Sequence, residues 1–293
     1  MSVFIMPNLD KNNCYDTVIS VCEFFNSRRV AIFMSELYKS EFSTLEYVIF
    51  DNEENCAKSC DVIIAVGGDG TILSASGTAY LHKKKLLGIN CGRLGFMANL
   101  EHDEIPLLEN LLTKSYSTEK RMMLNVTVNR GEKSESYTVL NDVVISKHHN
   151  SQIADFIINK NSIPVSHIRA DGVIFSTPTG ATAYSLSAGG PIIEPDMECF
   201  EFTPICPHTL LSRTIIFSKN TKLTVHFVPS SGCEGVFNLT ADGNELKGIA
   251  SSDSVEISLS NHYIELIDIK GGSFFKSVTN KLMKPLKPIW EEE

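Results

Sequence analysis

Apolar residues fall along this chain in two textures. In the first third, short runs of consecutive aliphatic and β-branched residues alternate with stretches whose apolar positions recur every three or four residues. The runs at 2–6, 30–34, 47–50, 62–66 and 86–89 predict strands, and 62–66 in particular reads as buried on both faces. The periodic stretches predict helices over 14–25, from Thr71 to about His82, and over 103–113, with an acidic loop at 51–54. Strands alternating with helices predict a doubly wound parallel sheet, an α/β amino-terminal domain.

After about Thr118 the helical period disappears. Short β-type runs follow at 124–129, 137–146, 153–158, 173–176, 214–217, 223–228, 236–240, 255–259 and 263–267. Turn signals separate them, notably Asn129-Arg-Gly131, Ser231-Gly232 and Asp242-Gly-Asn244. This predicts a β-rich, sandwich-like carboxyl-terminal domain. The expected division is 1–117 and 118–269, with a short helix near 274–282 through which 270–293 rejoins the first domain. The tail from Lys284 to Glu293 reads as loose.

Composition narrows the field. The chain has 293 residues, 43% hydrophobic and 21% charged, as in an ordinary globular protein. A net charge of −9 and the lack of a basic stripe argue against nucleic acid or an anionic membrane surface as partner. No apolar run approaches the length of a bilayer span, and the amino terminus lacks the segments of a signal peptide. Eight scattered cysteines, of which only Cys56 and Cys60 are close, read as reduced thiols of a cytoplasmic protein.

The candidate chemistry gathers at punctuated turns. Gly67-Gly-Asp-Gly-Thr71 stands between a buried strand and a helix start, where ligands bind in open α/β sheets. Gly67, Gly68 and Gly70 remove the Cβ atoms that would hold a phosphate chain off the backbone N–H groups, and Asp69 is left among them. A plain connecting turn with Asp69 as its cap is the alternative. Gly88-Ile-Asn-Cys-Gly-Arg-Leu-Gly-Phe96 is a second glycine-rich turn, whose Arg93 is either a bidentate phosphate ligand or an exposed loop residue.

Farther on, Thr177, Thr179, Thr182, Ser185 and Ser187 place hydroxyls at the start of a helix of small residues, with Gly180 admitting a ligand. That suits a base edge, a ribose or a phosphate, though a tightly packed, well-capped helix also favours such residues. Asn141-Asp142 interrupts an apolar run, as a ribose- or base-binding pair or as a bulge or strand end. His148-His149 reads as solvated loop, and Cys206-Pro-His208 as a poor nucleophile–base pair because adjacent residues rarely face each other correctly.

These motifs, in this order, resemble the NAD kinase family. The resemblance rests on the two glycine turns, Asn141-Asp142, Asp171-Gly172, the run from Ser176 to Pro191, and Pro204-Ile-Cys-Pro-His208, and covers roughly 60–245. The long threonine-rich run is its specific part; lipid kinases and phosphofructokinases share a similar glycine turn. Membership implies phosphorylation of the adenosine-ribose 2′-hydroxyl of NAD to NADP. It implies ATP or polyphosphate as donor, Mg²⁺ or another divalent metal held mainly by the nucleotide phosphates, and a homodimer or homotetramer.

The resemblance makes Asp69 the catalytic base and puts Gly70 beside the dinucleotide phosphates. Asn141 and Asp142, the latter where the family often has Glu, match the pair that holds the adenylate end. Arg169 and Asp171 match nucleotide contacts that some members supply from a neighbouring subunit. Thr182, Ala183, Tyr184, Ser185, Leu186 and Ser187 match the lining of adenine and ribose, and Asn244 stands where the family usually has Gln. A lipid or sugar-phosphate kinase on the same fold, or a non-catalytic dinucleotide sensor, are the competing readings.

Overall fold

The computed structural model describes residues 1–92, 95–147, 154–209, 212–228, 236–271 and 273–280. Arg93, the pair His148-His149, the turn at Ser231-Gly232, Cys233 and the tail from Lys284 lie outside these residues. The chain forms two compact units, residues 1–119 with 264–293 and residues 120–263.

In the first unit, β1 (Ser2–Pro7), α1 (Cys14–Ser27), β2 (Ala31–Ser35), β3 (Val48–Asp51), α2 (Glu53–Ser59), β4 (Val62–Gly67), α3 (Asp69–His82) and β5 (Lys85–Asn90) succeed one another. The strands are parallel in the order β3-β2-β1-β4-β5. Every residue of β4 is buried, as its unbroken apolar run requires. Val18, Val21, Cys22 and Phe25 of α1 pack with Ile64, Val66 and Ile89 of the sheet in one core. Because chain order reverses between β1 and β4, the switch point of the sheet lies at their carboxyl ends, where doubly wound folds bind ligands. The Gly67–Thr71 turn follows β4 directly.

Two expectations in this unit need correction. The acidic stretch at 51–54 opens a helix: Asn52 Oδ1 accepts the Asn55 N–H at 2.9 Å, and Glu53 and Glu54 occupy the favourable first turn of α2. The helix expected over 103–113 is shorter. After β6 (Leu100–Glu101) it starts as a 3₁₀ turn, Ile105–Leu108, with Pro106 near its start, and becomes α4 only at Glu109–Leu112.

The second unit is a sandwich of antiparallel sheets. Its strands are β7 (Ser117–Arg130, in this unit from Lys120 onward), β8 (Lys133–Val139), β9 (Asp142–Lys147), β10 (Ala154–Lys160), β11 (Ile163–Ala170) and β12 (Gly172–Ser176). A one-turn helix α5 (Tyr184–Ser187) precedes β13 (Cys199–Ile205), β14 (Ile215–Ser218), β15 (Lys222–Val228), β16 (Val236–Ala241), β17 (Asn244–Glu245) and β18 (Ile249–Ala250). The last strand, β19 (Ser254–Asp268), belongs to this unit as far as Tyr263; α6 (Ser273–Val278) lies in the first.

One sheet of the sandwich joins β10, β11 and β15 with the first part of β19 and with β7 and β8, and the other runs β14-β13-β12-β9-β16-β17. Phe156, Phe175, Phe200, Phe202, Phe227 and Phe237 fill the core between them. Here too the sequence reading is corrected. The run at 137–146 is two strands separated at Leu140-Asn141, so Asn141-Asp142 is a strand start. The runs at 255–259 and 263–267 are one strand bridged by polar Ser260, Asn261 and His262. Strands β11 and β13, which contain Pro164 and Pro204, have no counterpart in the expected series. Pro164 is accommodated on the edge strand of its sheet.

Candidate active site

Asp69 is the first residue of α3, and Gly68 is the cap. Its carboxylate accepts two backbone N–H groups from the loop after β5: Phe96 N–H to Oδ2 at 2.8 Å and Met97 N–H to Oδ1 at 3.1 Å. A Cβ at Gly95 would overlap that carboxylate, so the loop can close over Asp69 only with glycine there. The two glycine turns therefore meet through hydrogen bonds, with Cys91 N–H to Gly67 carbonyl at 2.9 Å adding a third link.

The three glycines of the turn do different work. A Cβ at Gly67 would strike the Thr71 side chain, whose Oγ1 accepts from the Asn8 amide at 3.2 Å and the Gly68 N–H at 3.4 Å. Gly67 and Thr71 thus join β4 to α3. Around Gly68 and Gly70 a Cβ would meet nothing within 4 Å, which leaves open space over the amino end of a 14-residue helix. Asn8, at the end of β1, carries no motif of its own in the sequence; only strand pairing brings it to Thr71.

In the second unit a polar corner forms where β9 begins. The Asp242 carboxylate accepts the N–H groups of Leu140 at 2.8 Å, Asn141 at 2.7 Å and Asp142 at 3.2 Å. Asp242 itself sits at φ 49° and Gly243 at φ 77°, the positive pair of a two-residue hairpin turn between β16 and β17. In the sequence Asp242 reads as a turn signal; its role as organiser of the Asn141-Asp142 corner comes from residues a hundred positions away. Burial, and after it the Asp242 charge, pushes the Asp142 carboxyl up to about 7. Asp242 is itself raised by burial, against the pull of its three N–H donors.

The hydroxyl-rich run is largely turned inward. Thr177 Oγ1 donates to the Leu140 carbonyl at 2.6 Å, Thr182 to the Thr179 carbonyl at 3.1 Å, and Ser185 to Thr203 Oγ1 at 2.8 Å. Gly180 serves packing as well, since a Cβ there would strike the Asn141 carbonyl. At this corner Asn141 Oδ1 and Thr179 Oγ1 are buried with no hydrogen-bond partner among the described residues. Tyr184 is exposed on the one-turn helix, as is Ser187, with Ala183 and Leu186 half-buried.

Other candidates sit apart from this corner. Asp171, paired with Lys147, precedes β12, whereas Ser176 at the far end of that strand pairs with Asp142. Arg169 is exposed and its Nε reaches both Asp155 oxygens at 3.1 Å. Asn244 is exposed in the hairpin, its amide 3.4 Å from the Asp242 carbonyl. All seven described cysteines are free, and Cys206 alone among them is exposed.

A doubly wound unit with a carboxylate at its switch point, in a chain that also carries a sandwich unit with a polar corner, is the class of fold and site that nucleotide-handling enzymes use. Comparison with known proteins makes this specific. Residues 3–116 match the model of the ATP-NAD kinase N-terminal domain and residues 140–269 that of the ATP-NAD kinase C-terminal domain. An NAD kinase of Moorella thermoacetica is 34% identical over 279 residues, 95% of this chain and 88% of that protein. One from Geobacter sulfurreducens is 40% identical over 224 residues, 76% of this chain and 78% of its own. Yeast NADH kinase, solved with NADH, superposes with a TM-score of 0.89 at 19% identity, covering 98% of this chain and 89% of that one. This chain belongs to the NAD kinase family.

Proposed function

We propose that this chain transfers the terminal phosphoryl group of ATP to the 2′-hydroxyl of the adenosine ribose of NAD, with Asp69 accepting the hydroxyl proton. The observation that carries the reading is a carboxylate fixed by two backbone N–H groups at the switch point, with open space over Gly68 and Gly70. The family supports it, as do fold relatives solved with NADH (yeast NADH kinase) and with ATP (an NAD kinase of Archaeoglobus fulgidus, TM-score 0.70, 22% identity, covering 95% of this chain and 96% of that chain).

A ribose hydroxyl is far less acidic than a carboxylic acid, so Asp69 takes its proton as the O–P bond forms. Such general-base help contributes about 10²- to 10⁴-fold. The rest comes from in-line positioning and charge stabilisation. The first-turn N–H groups of α3 receive phosphate oxygens, with Arg93 as a further phosphate ligand. Asn141 Oδ1 and Thr179 Oγ1 take polar groups of the nucleoside, and a neutral Asp142 donates to it. Thr182, Ala183, Leu186 and Ser187 line the adenosine, Tyr184 offers a stacking face, and Asn244 adds a rim contact. Arg169 and Asp171 act from a second copy in a homodimer or homotetramer.

A divalent cation such as Mg²⁺ neutralises charge on the phosphates when bound. Among the described residues no three His, Cys, Asp or Glu converge to hold an ion. Asp69 is the one carboxylate in the turn, so the ion takes its oxygens mainly from nucleotide and water. Among the described residues no helix is long and apolar enough to cross a membrane, and we place the enzyme in the cytoplasm.

The test is direct. Purified protein is incubated with NAD, Mg²⁺ and either ATP or polyphosphate, and product is read with an NADP-specific dehydrogenase. Signal with ATP is expected. Tight NAD binding without turnover, or label passing to a lipid and not to NAD, overturns the proposal.

A further inference from the structure

The hydroxyl network under the Tyr184–Ser187 turn ends on a carboxyl that no catalytic role requires. Glu201, in the middle of β13, has no exposed surface, and neither carboxyl oxygen has a hydrogen-bond partner in the described geometry. Pairing across the sheet places Asp142, Ser176 and Glu201 side by side on β9, β12 and β13, on the face away from the sandwich core. Phe200 and Phe202, flanking Glu201, point into that core instead.

Above Glu201 lies the turn. Ser185 Oγ donates to Thr203 Oγ1, which is 3.0 Å from Thr214 Oγ1. A Cβ at Gly190 would collide with the Ser185 hydroxyl and crowd Glu201 Oε1, so these groups are packed without slack. The Gly190 N–H also bonds the Ser185 carbonyl at 2.8 Å. Ser185 has one proton, already given to Thr203, and a free lone pair beside a carboxyl that has nowhere else to donate.

We infer that Glu201 is a positioning residue for the dinucleotide site: as a neutral acid it donates to Ser185 and holds the Tyr184–Ser187 turn against β13. This rests on the proposal that the turn lines the adenosine. The chain of donors then runs from Glu201 through Ser185 and Thr203 to Thr214, which is half-exposed and gives the buried carboxyl a route to exchange its proton with solvent. Loss of the proton demands that Ser185 turn its hydroxyl towards the carboxylate, which reverses the chain and leaves a charge on a side chain with no exposed surface.

Burial pushes the Glu201 carboxyl up to about 7, so both forms are populated near neutral pH. The opposing, lowering influence is the Ser185 hydroxyl when it is swung from Thr203 towards the carboxylate, the arrangement that the ionised form requires. The titratable groups facing it, among the described residues, are Cys199 on its own strand, raised by burial and by Glu201, and Asp142 two strands away. Asp142 titrates in the same range, so the informative quantity is a ratio between proteins that share it.

KM for NAD is measured from pH 6 to 8.5 for the wild type, Glu201→Gln and Thr203→Val. A Gln amide still donates to Ser185 and cannot ionise. The ratio of wild-type to Glu201→Gln KM is expected near one at pH 6, rising to as much as about thirtyfold at pH 8.5, if only the protonated form is competent. The kcat values should move much less. Thr203→Val, which cuts the chain, should raise KM at every pH. A ratio that stays within about twofold across the range, or a Glu201→Gln KM raised equally at all pH, overturns the inference. Absence of NADP formation by the wild type overturns the proposed reaction instead; NAD affinity by calorimetry on the same proteins then judges Glu201 by the same ratio.

Discussion

The Phe96 N–H donates to Asp69 Oδ2 at 2.8 Å, so the carboxylate at the tip of one strand–helix turn is aimed by the loop that follows the neighbouring strand. Asp69→Asn removes the base and also places an amide N–H₂ against one of two N–H donors. Turnover should fall at least a hundredfold. Stability should fall by about 1–3 kcal/mol, the cost of a buried donor left without an acceptor. Steady-state kinetics and thermal unfolding check both; near-normal turnover would remove Asp69 from the chemistry.

Gly67→Ala and Gly70→Ala should separate packing from binding. Alanine at 67 strikes Thr71 and should destabilise by about 1–3 kcal/mol. Alanine at 70 meets nothing and improves helix propensity by up to about 1 kcal/mol. Its Cβ nevertheless stands where phosphate oxygens are proposed to lie. Gly70→Ala should therefore keep or raise the melting temperature while raising KM for ATP or NAD tenfold or more. Unchanged kinetics would move the phosphate site elsewhere.

The Asp142 carboxyl, raised from 3.8 to about 7, makes a signed prediction for pH. A group whose folded pKa lies above its unfolded value contributes its stability fully below about 4 and loses it as pH rises through 7. Above pH 7 the lost contribution is at most about 4 kcal/mol, three pH units at 1.36 kcal/mol each. Asp142→Asn should be flatter than the wild type between pH 4 and 8 and more stable at pH 8. Thermal midpoints across that range decide it; parallel profiles would mean that Asp142 is ionised throughout.

Asp242→Asn keeps a side chain tolerant of the φ of 49° but loses a charged acceptor for three N–H groups. Stability should drop by about 2–4 kcal/mol. With the neighbouring charge gone, the Asp142 carboxyl should titrate lower, though only in part, because burial is the larger cause of its shift. Carboxyl carbon NMR of Asp142 in the two proteins reads the change; an unaltered midpoint would leave burial as the whole cause.

Sequence alone determined what depends on local spacing: the buried run of β4, the helix period of α1, the Asp-Gly turn between β16 and β17, and hence an α/β part followed by a β-rich part. The glycine turn was legible because glycine content is a local property. Tertiary structure decided which glycines face Thr71 and which face open space, since that depends on a side chain four residues on and on Asn8 from another strand. It also decided that Asp242 organises the Asn141-Asp142 corner and that Thr177, Thr182 and Ser185 bond to protein. Those contacts join residues 3 to about 100 positions apart, and no periodicity encodes them. Glu201 stayed hidden for the same reason: alternation with Phe200 and Phe202 marks a strand face, but only the covering turn makes that face dry.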